Sequence, residues 1–170
     1  SPEGSSFILH AGEKKVRCQT KLLGAHNIQN ILLAASVCLE LQLTLGQIAR
    51  GISKLEPVEH RLQLIPNPGA YTIIDDAFNS NPRGAEAALN VLKDFSGRRI
   101  VITPGMVELG AEEAEFNRKL GRFMADKTDI AILVGKKHTR PIAEGLAEAG
   151  FPEGKVHQVA SLNEATALLA

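Results

Sequence analysis

An α/β fold, with a mostly parallel sheet and helices on both faces, is predicted by three features of this sequence. From about residue 62 onward, short β-branched runs alternate with segments of helical period, the pattern of strands joined by crossover helices. Hydrophobic residues make up 44% of the 170, but aromatics only 4% with no Trp, so the core must be built from Leu, Ile, Val and Ala. The run from Tyr71 to Ile74 stops abruptly at Asp75 and Asp76 and passes through Asn79, Ser80 and Asn81 into Pro82, which reads as a strand, a polar loop and a helix start.

Taken in order, Phe7, Leu9, Val16, Cys18 and Thr20 alternate with polar neighbours around Ala11-Gly12-Glu13, which predicts a β-hairpin with one wet face. The segment AHNIQNILLAASVCLELQL then carries Ile28, Leu32, Ala35, Val37, Cys38 and Leu41 on one broad helical face. A second helix starts at Thr44, whose capping partner Gln47 lies three residues on, and runs through Ile48 and Ile52 to about Leu55. Glu56-Pro57-Val58-Glu59 breaks that pattern, because proline disfavours helix in the residue before it and lacks a backbone donor. A domain boundary is expected there, dividing 1–57 from 58–170. A ribbon with two helices is marginal as a core by itself, so residues 1–57 are expected to end a larger domain, and the chain to be a fragment.

Beyond the boundary, Leu62 to Ile65 reads as a strand, Pro66-Asn67-Pro68-Gly69 as a turn, and the residues up to Asp75 as the strand around which the rest is organised. Ala85, Ala88, Leu89, Leu92 and Phe95 recur at helical spacing in 83–95. Strand 99–103, helix 112–125, strand 129–134, helix 139–149, strand 155–159 and helix 162–169 follow, the last opened by a capping box of Ser161 and Glu164. A parallel strand feeding a helix would put Asp75 and Asp76 at the carboxyl end of the sheet, where open α/β folds bind ligands.

Several function classes are disfavoured. Lys+Arg and Asp+Glu both number 19, so there is no electrostatic footprint for nucleic acid or anionic lipid. Cys18 and Cys38 are spaced for neither a metal site nor a disulfide framework and read as buried thiols. No apolar run approaches a membrane span, and SPEGSSF has no signal-peptide character, so a cytoplasmic location is expected. The chain has no GxGxxG, and the GxxxxG of Gly105 to Gly110, like the other runs of that spacing, lacks the Lys and Ser/Thr of a P-loop. A GxSxG elbow and HExxH spacing are also missing.

What remains is a set of polar residues at element boundaries: His26, Asn27 and Asn30 at a helix start, His60 and Arg61 in the linker, Asp75 and Asp76 at a strand end, and Glu108 after the next strand. Each has a purely structural alternative. Asn27 can cap its helix, Arg61 can be a solvated linker residue, and the acidic residues can solvate turns.

Together, GAHNIQNILLAA, the EHR of 59–61, DDAFNSNP at 75–82 and GMVELG at 105–110 resemble, in order and spacing, the second half of the Mur ligases, and within them the branch that attaches D-alanyl-D-alanine. HNxxN is shared across the family, whereas DDAFNSNP and GMVELG are much narrower. Phe78 stands where the family commonly has Tyr, Ser80 where Ala is common, and Asn117 where His often appears.

The resemblance implies that 1–57 is the tail of the central ATP-binding domain and 58–170 the C-terminal Rossmann-like domain. The parent would be an ATP-dependent ligase of peptidoglycan precursor synthesis that joins D-Ala-D-Ala to UDP-MurNAc-tripeptide through an acyl phosphate. ATP and Mg would be held mainly by upstream sequence, and the parent would act as a monomer with no nucleic-acid partner. Carried over by position, Asn27, Asn30, His60, Arg61 and Asp76 would contact ATP. Asn30 would lie nearest adenine, Asp76 would face ribose, and Arg61, a planar and permanently charged fork, would reach phosphate and serve catalysis. Asn79, Ser80, Asn81 and Glu108 would face the amine substrate, and none of these residues would bind metal. The alternatives are another Mur-like ligase or an amidotransferase subunit, a relative that adds glutamate to folate, or a noncatalytic module binding nucleotide or peptide. The two narrow strings argue against the folate relative.

Overall fold

A computed structural model describes residues 4–66, 69, 71–78 and 80–169. The chain divides into two compact units, Ser1–Phe78 and Asn79–Ala170.

In the first unit, strands β1 (Ser5–Ala11) and β2 (Lys14–Thr20) pair antiparallel through a Gly12-Glu13 turn. The register sets Phe7 opposite Cys18 and Leu9 opposite Val16, so one face of the ribbon is apolar, as the alternation requires. Helix α1 (Ala25–Glu40) and helix α2 (Leu45–Ile52) complete this unit's core, where Leu9, Cys18, Ile31, Ala35, Ile48 and Ile52 are buried together. Thr44 caps α2 with the expected reciprocal bonds to Gln47. Both cysteines are free thiols, and burial pushes the Cys18 thiol up.

The buried edge of α1 differs from the expected one. It runs along Ile31, Ala35 and Cys38, whereas Leu32, Val37 and Leu41 from the expected face are exposed, together with Leu33. From residue 31 to 39 the helix is apolar nearly all round, so spacing alone does not choose which side meets the ribbon.

Strands β3 (Gln63–Ile65) and β4 (Ile73–Asp75) form a separate antiparallel pair, with Leu64 opposite Ile74. This corrects the expectation that the strand ending at Asp75 belongs to the parallel sheet. The two strands are adjacent in sequence, and a hairpin needs no crossover. Tyr71 and Thr72 precede β4 and are exposed, contrary to their β-branched and aromatic character. Asn67 and Pro68 of the expected turn lie outside the described residues.

The second unit alternates as predicted: α3 (Pro82–Lys93), β5 (Ile100–Thr103), α4 (Glu113–Met124), β6 (Ile130–Val134), α5 (Arg140–Glu148), β7 (Val156–Val159) and α6 (Leu162–Ala167). The three strands make a parallel sheet in the order β5-β6-β7. Alternate residues of β6 serve opposite faces. Ala131 and Leu133 join Leu89, Leu120, Met124, Ile142 and Leu146 in one core, while Ile132 is buried on the other face and α6 packs against β6 and β7. Ser161 caps α6 by accepting from the Glu164 N–H, but the Glu164 carboxylate accepts from Ala160 rather than closing the expected box on Ser161.

Helices α4 and α5 cross through two glycines. A Cβ on Gly121 would run into the Ile142 carbonyl and one on Gly145 into the Arg118 carbonyl, so only hydrogen allows this approach. Arg118 and Arg122 then bridge to Glu148 at 2.8 and 2.6 Å along the same seam. Among the described residues no helix is long and apolar enough to cross a membrane.

Candidate functional site

In the first unit, His60, Arg61, Asp75 and Asp76 lie on or beside the β3–β4 hairpin, whereas Asn27 and Asn30 lie on α1. Val58 O accepts from the Arg61 N–H and His60 O accepts from the Phe78 N–H, both at 3.1 Å, which ties the start of the hairpin to its end. His60 and Leu62 have φ of 60° and 47°, a left-handed conformation uncommon for non-glycine residues and often associated with functional segments.

Side chains hold this bend. Asp75 Oδ2 lies 2.7 Å from His60 Nδ1, and Asp75 Oδ1 accepts from the Ala77 N–H at 3.0 Å. Asp76 Oδ1 accepts from the N–H of buried Leu62 at 3.0 Å. Burial raises the Asp76 carboxyl above the usual range, against the opposing pull of that hydrogen bond and of His26 and Arg61. His26, at the start of α1, thus lies within electrostatic reach of Asp76. The Arg61 guanidinium sits 4.4 Å from the centroid of the Phe78 ring, an exposed cation–π contact.

At the start of α1 the N-cap is Gly24, not Asn27, and it supplies no side-chain bond. Asn27 instead donates its amide to Leu23 O at 2.8 Å, while Asn30 is exposed one turn further on. Asn27 is therefore partly committed to the backbone and Asn30 is open.

In the second unit, Asn81 is the N-cap of α3 and accepts from the Gly84 N–H at 2.9 Å, with Pro82 in the first turn. Ser80 is half-buried beside it. Asn79 lies outside the described residues. Glu108 is exposed in the loop after β5, at the carboxyl end of the parallel sheet, with φ of 62°.

Sequence reasoning missed what supports that loop. Asn117 is fully buried and uses its whole amide: Oδ1 accepts from Met106 N at 2.8 Å, and Nδ2 donates to Met106 O at 2.8 Å and Glu113 O at 3.0 Å. Its signal was a lone amide in line with Leu120 and Met124 on an apolar helix face. Glu113 pairs with His138 at 2.7 Å. That hydrogen bond holds the Glu113 carboxyl below its usual range, aided by the N–H groups of Leu109 and Glu108. After β6, Thr139 donates to Gly135 O, and Gln158 donates to both Gly135 O and Thr139 Oγ1.

The family described as "Mur ligase, glutamate ligase domain" matches residues 60–170. The UDP-N-acetylmuramoyl-tripeptide--D-alanyl-D-alanine ligase of Escherichia coli is 33% identical over 147 residues, covering 85% of this chain and 32% of that protein. The ligase of the same name from Buchnera aphidicola is 32% identical over 121 residues, covering 71% of this chain and 26% of its own length. Among solved structures, a crystal structure of MurF from Acinetobacter baumannii superposes with a TM-score of 0.83 at 27% identity, covering 99% of this chain and 35% of that one. The chain thus spans between a quarter and about a third of the proteins it matches. With a family match across well over half of its residues and the three-stranded parallel sheet in place, the chain belongs to the Mur ligase family.

Proposed function

We propose that this chain is the C-terminal portion of an ATP-dependent ligase that joins D-Ala-D-Ala to UDP-MurNAc-tripeptide in peptidoglycan precursor synthesis. The observation that carries the reading is the hairpin of 60–78, where the EHR and DDAF strings, far apart in sequence, bond to each other through His60–Asp75, Leu62–Asp76 and His60–Phe78. The relatives named for this reaction support the choice of substrates. We assign 1–57 to a central ATP-binding domain and 58–170 to a C-terminal domain; the family match beginning at His60 supports this boundary, so the β3–β4 hairpin, which groups with the first compact unit, opens the C-terminal domain.

In such a reaction a carboxylate oxygen of the tripeptide attacks the γ-phosphorus of ATP and ADP leaves, giving an acyl phosphate. The amine of the dipeptide, having lost a proton, then attacks the acyl carbon, and phosphate leaves as the amide forms. Catalysis rests on positioning and on neutralising phosphate charge. Asn30, exposed on α1, offers an amide to adenine, with Asn27 behind it. Asp76 faces the ribose hydroxyls, His60 flanks the base, and Arg61 supplies the fork to phosphate. Ser80, Glu108 and the free amide nitrogen of Asn81 serve the dipeptide, with Asn79 in the same string.

Among the described residues no cluster of three or more His, Cys, Asp or Glu side chains is disposed to hold a metal ion. In this reading Mg is held mainly by other parts of the full-length protein together with the phosphates of ATP.

The test is phosphate release by the full-length protein with UDP-MurNAc-tripeptide, ATP and a panel of amino acids and dipeptides. Release that requires D-Ala-D-Ala is expected. Release with a single amino acid instead would favour another Mur-like ligase, and none with any amine would favour a noncatalytic module.

A further inference from the structure

Glu108 is an exposed carboxylate on a backbone in an unfavourable conformation, yet the segment around it is held from both sides. Two residues before it, the Met106 backbone is bonded through both its N–H and its C=O to the amide of Asn117, and Met106 itself is almost fully buried. On the other side the Glu113 carboxylate is bonded to His138 at 2.7 Å and kept ionised by that bond, with help from the Leu109 and Glu108 N–H groups. Gly105 closes the arrangement. With φ of 85°, its α-carbon lies so close to Asn117 and His138 that a Cβ would sit 3.0 Å from Asn117 Oδ1 and 3.1 Å from His138 O.

A buried amide with every strong bond made to one backbone residue and one helix carbonyl is a specific device. Hydrophobic packing at that helix position would fill the core equally well but would leave the Met106 N–H and C=O without partners. A loop whose exposed member is strained while its flanks are over-determined is the arrangement expected where a side chain must be presented in one orientation.

We propose that Asn117 is a positioning residue for the amine substrate: it fixes the Gly105–Gly110 loop so that Glu108 meets the ammonium group of the incoming dipeptide. The proposal rests on the reading of the reaction given above. Asn117 touches no substrate itself and acts through the Met106 backbone. Glu113 and His138 brace the far side of the same loop.

The experiment is steady-state kinetics of the full-length ligase carrying Asn117→Asp, which keeps the acceptor for Met106 N–H and loses both donated bonds, or Asn117→Leu, which loses all three. The expected result is a KM for D-Ala-D-Ala raised by about tenfold or more with the KM for ATP within about twofold, since only one substrate meets this loop. A fall in thermal midpoint with both KM values unchanged would mean a structural role only and overturn the proposal. In a Glu108→Gln background, Asn117→Asp should raise the dipeptide KM less than about twofold further, because residues acting as a unit are not additive. Multiplicative effects would exclude action through Glu108. If the Asn117 variants do not fold, Gly105→Ala strains the same contact from the loop side and should show the same split between the two KM values; equal shifts in both would overturn the proposal. A wild-type enzyme that releases no phosphate with D-Ala-D-Ala would overturn the reading of the reaction itself, a result distinct from an active wild type with indifferent Asn117 variants.

Discussion

His60 Nδ1 and Asp75 Oδ2 lie 2.7 Å apart, while the adjacent Asp76 turns its Oδ1 to the Leu62 N–H at 3.0 Å. The two carboxylates of the doublet therefore have separate tasks. Asp75 orients an exposed imidazole, and Asp76 ties down a buried backbone amide while keeping its second oxygen.

Asp76→Ala in the full-length enzyme should raise the KM for ATP and lower turnover, because losing a hydrogen bond to an ionised partner costs about 1.5–3 kcal/mol. It should also loosen the hairpin, since Leu62 loses its acceptor. Asp75→Ala should cost less than about 1 kcal/mol, as its partner His60 is largely exposed. Kinetics of both variants in parallel check the order. The reverse order would assign the nucleotide contact to Asp75.

Arg61 stacks on Phe78 and belongs to a strained bend, so a change of its head group should be felt in function before stability. Arg61→Lys keeps the charge but loses the planar fork and should lower kcat/KM for ATP by about tenfold or more, with the thermal midpoint nearly unchanged. A merely solvated arginine predicts that Arg61→Lys and Arg61→Ala are both silent, within about 0.5 kcal/mol. Normal kinetics in Arg61→Ala would remove this residue from the site.

Gly121→Ala and Gly145→Ala should each destabilise the second unit, since either methyl drives a backbone carbonyl of the facing helix away. Overpacking of this kind costs about 1–3 kcal/mol, and helix propensity returns less than that. Chemical denaturation of each variant measures it. An unchanged or raised stability in either would contradict the close crossing of α4 and α5.

Acid should weaken the second unit through carboxylates whose ionised forms are held in the fold. Hydrogen bonds from His138 to Glu113, Lys127 to Asp126, Arg99 to Asp129 and Arg118 to Glu148 keep all four below their usual range. The unfolded chain then binds protons more readily, so the stability they contribute is present above the ordinary carboxylate values, about 3.9–4.3, and is lost as pH falls through the depressed ones. Asp76 has the opposite sign: its raised value adds a cost as pH rises through it. Melting of wild type and Asp129→Asn across pH should show their largest difference near neutrality and convergence as pH falls through the depressed value of Asp129. A gap that persists in acid would show that Asp129 stabilises by shape alone.

Much of the local structure was decided by sequence. Strands β5, β6 and β7 and helices α3 to α6 follow from β-branched runs and helical period, and the caps at Thr44, Asn81 and Ser161 from side chains that compete for free backbone N–H groups. The family strings were equally legible, because they depend on residue identity at fixed spacing. Tertiary structure decided what depends on partners distant in the chain. It chose β3 as the neighbour of β4, since strand propensity is indifferent to whether pairing is parallel or antiparallel. It chose which side of the apolar stretch 31–39 of α1 is covered. It also turned Asn117 from an odd polar residue on an apolar stripe into the anchor of the Glu108 loop, because a buried amide must find its hydrogen bonds wherever the fold places them.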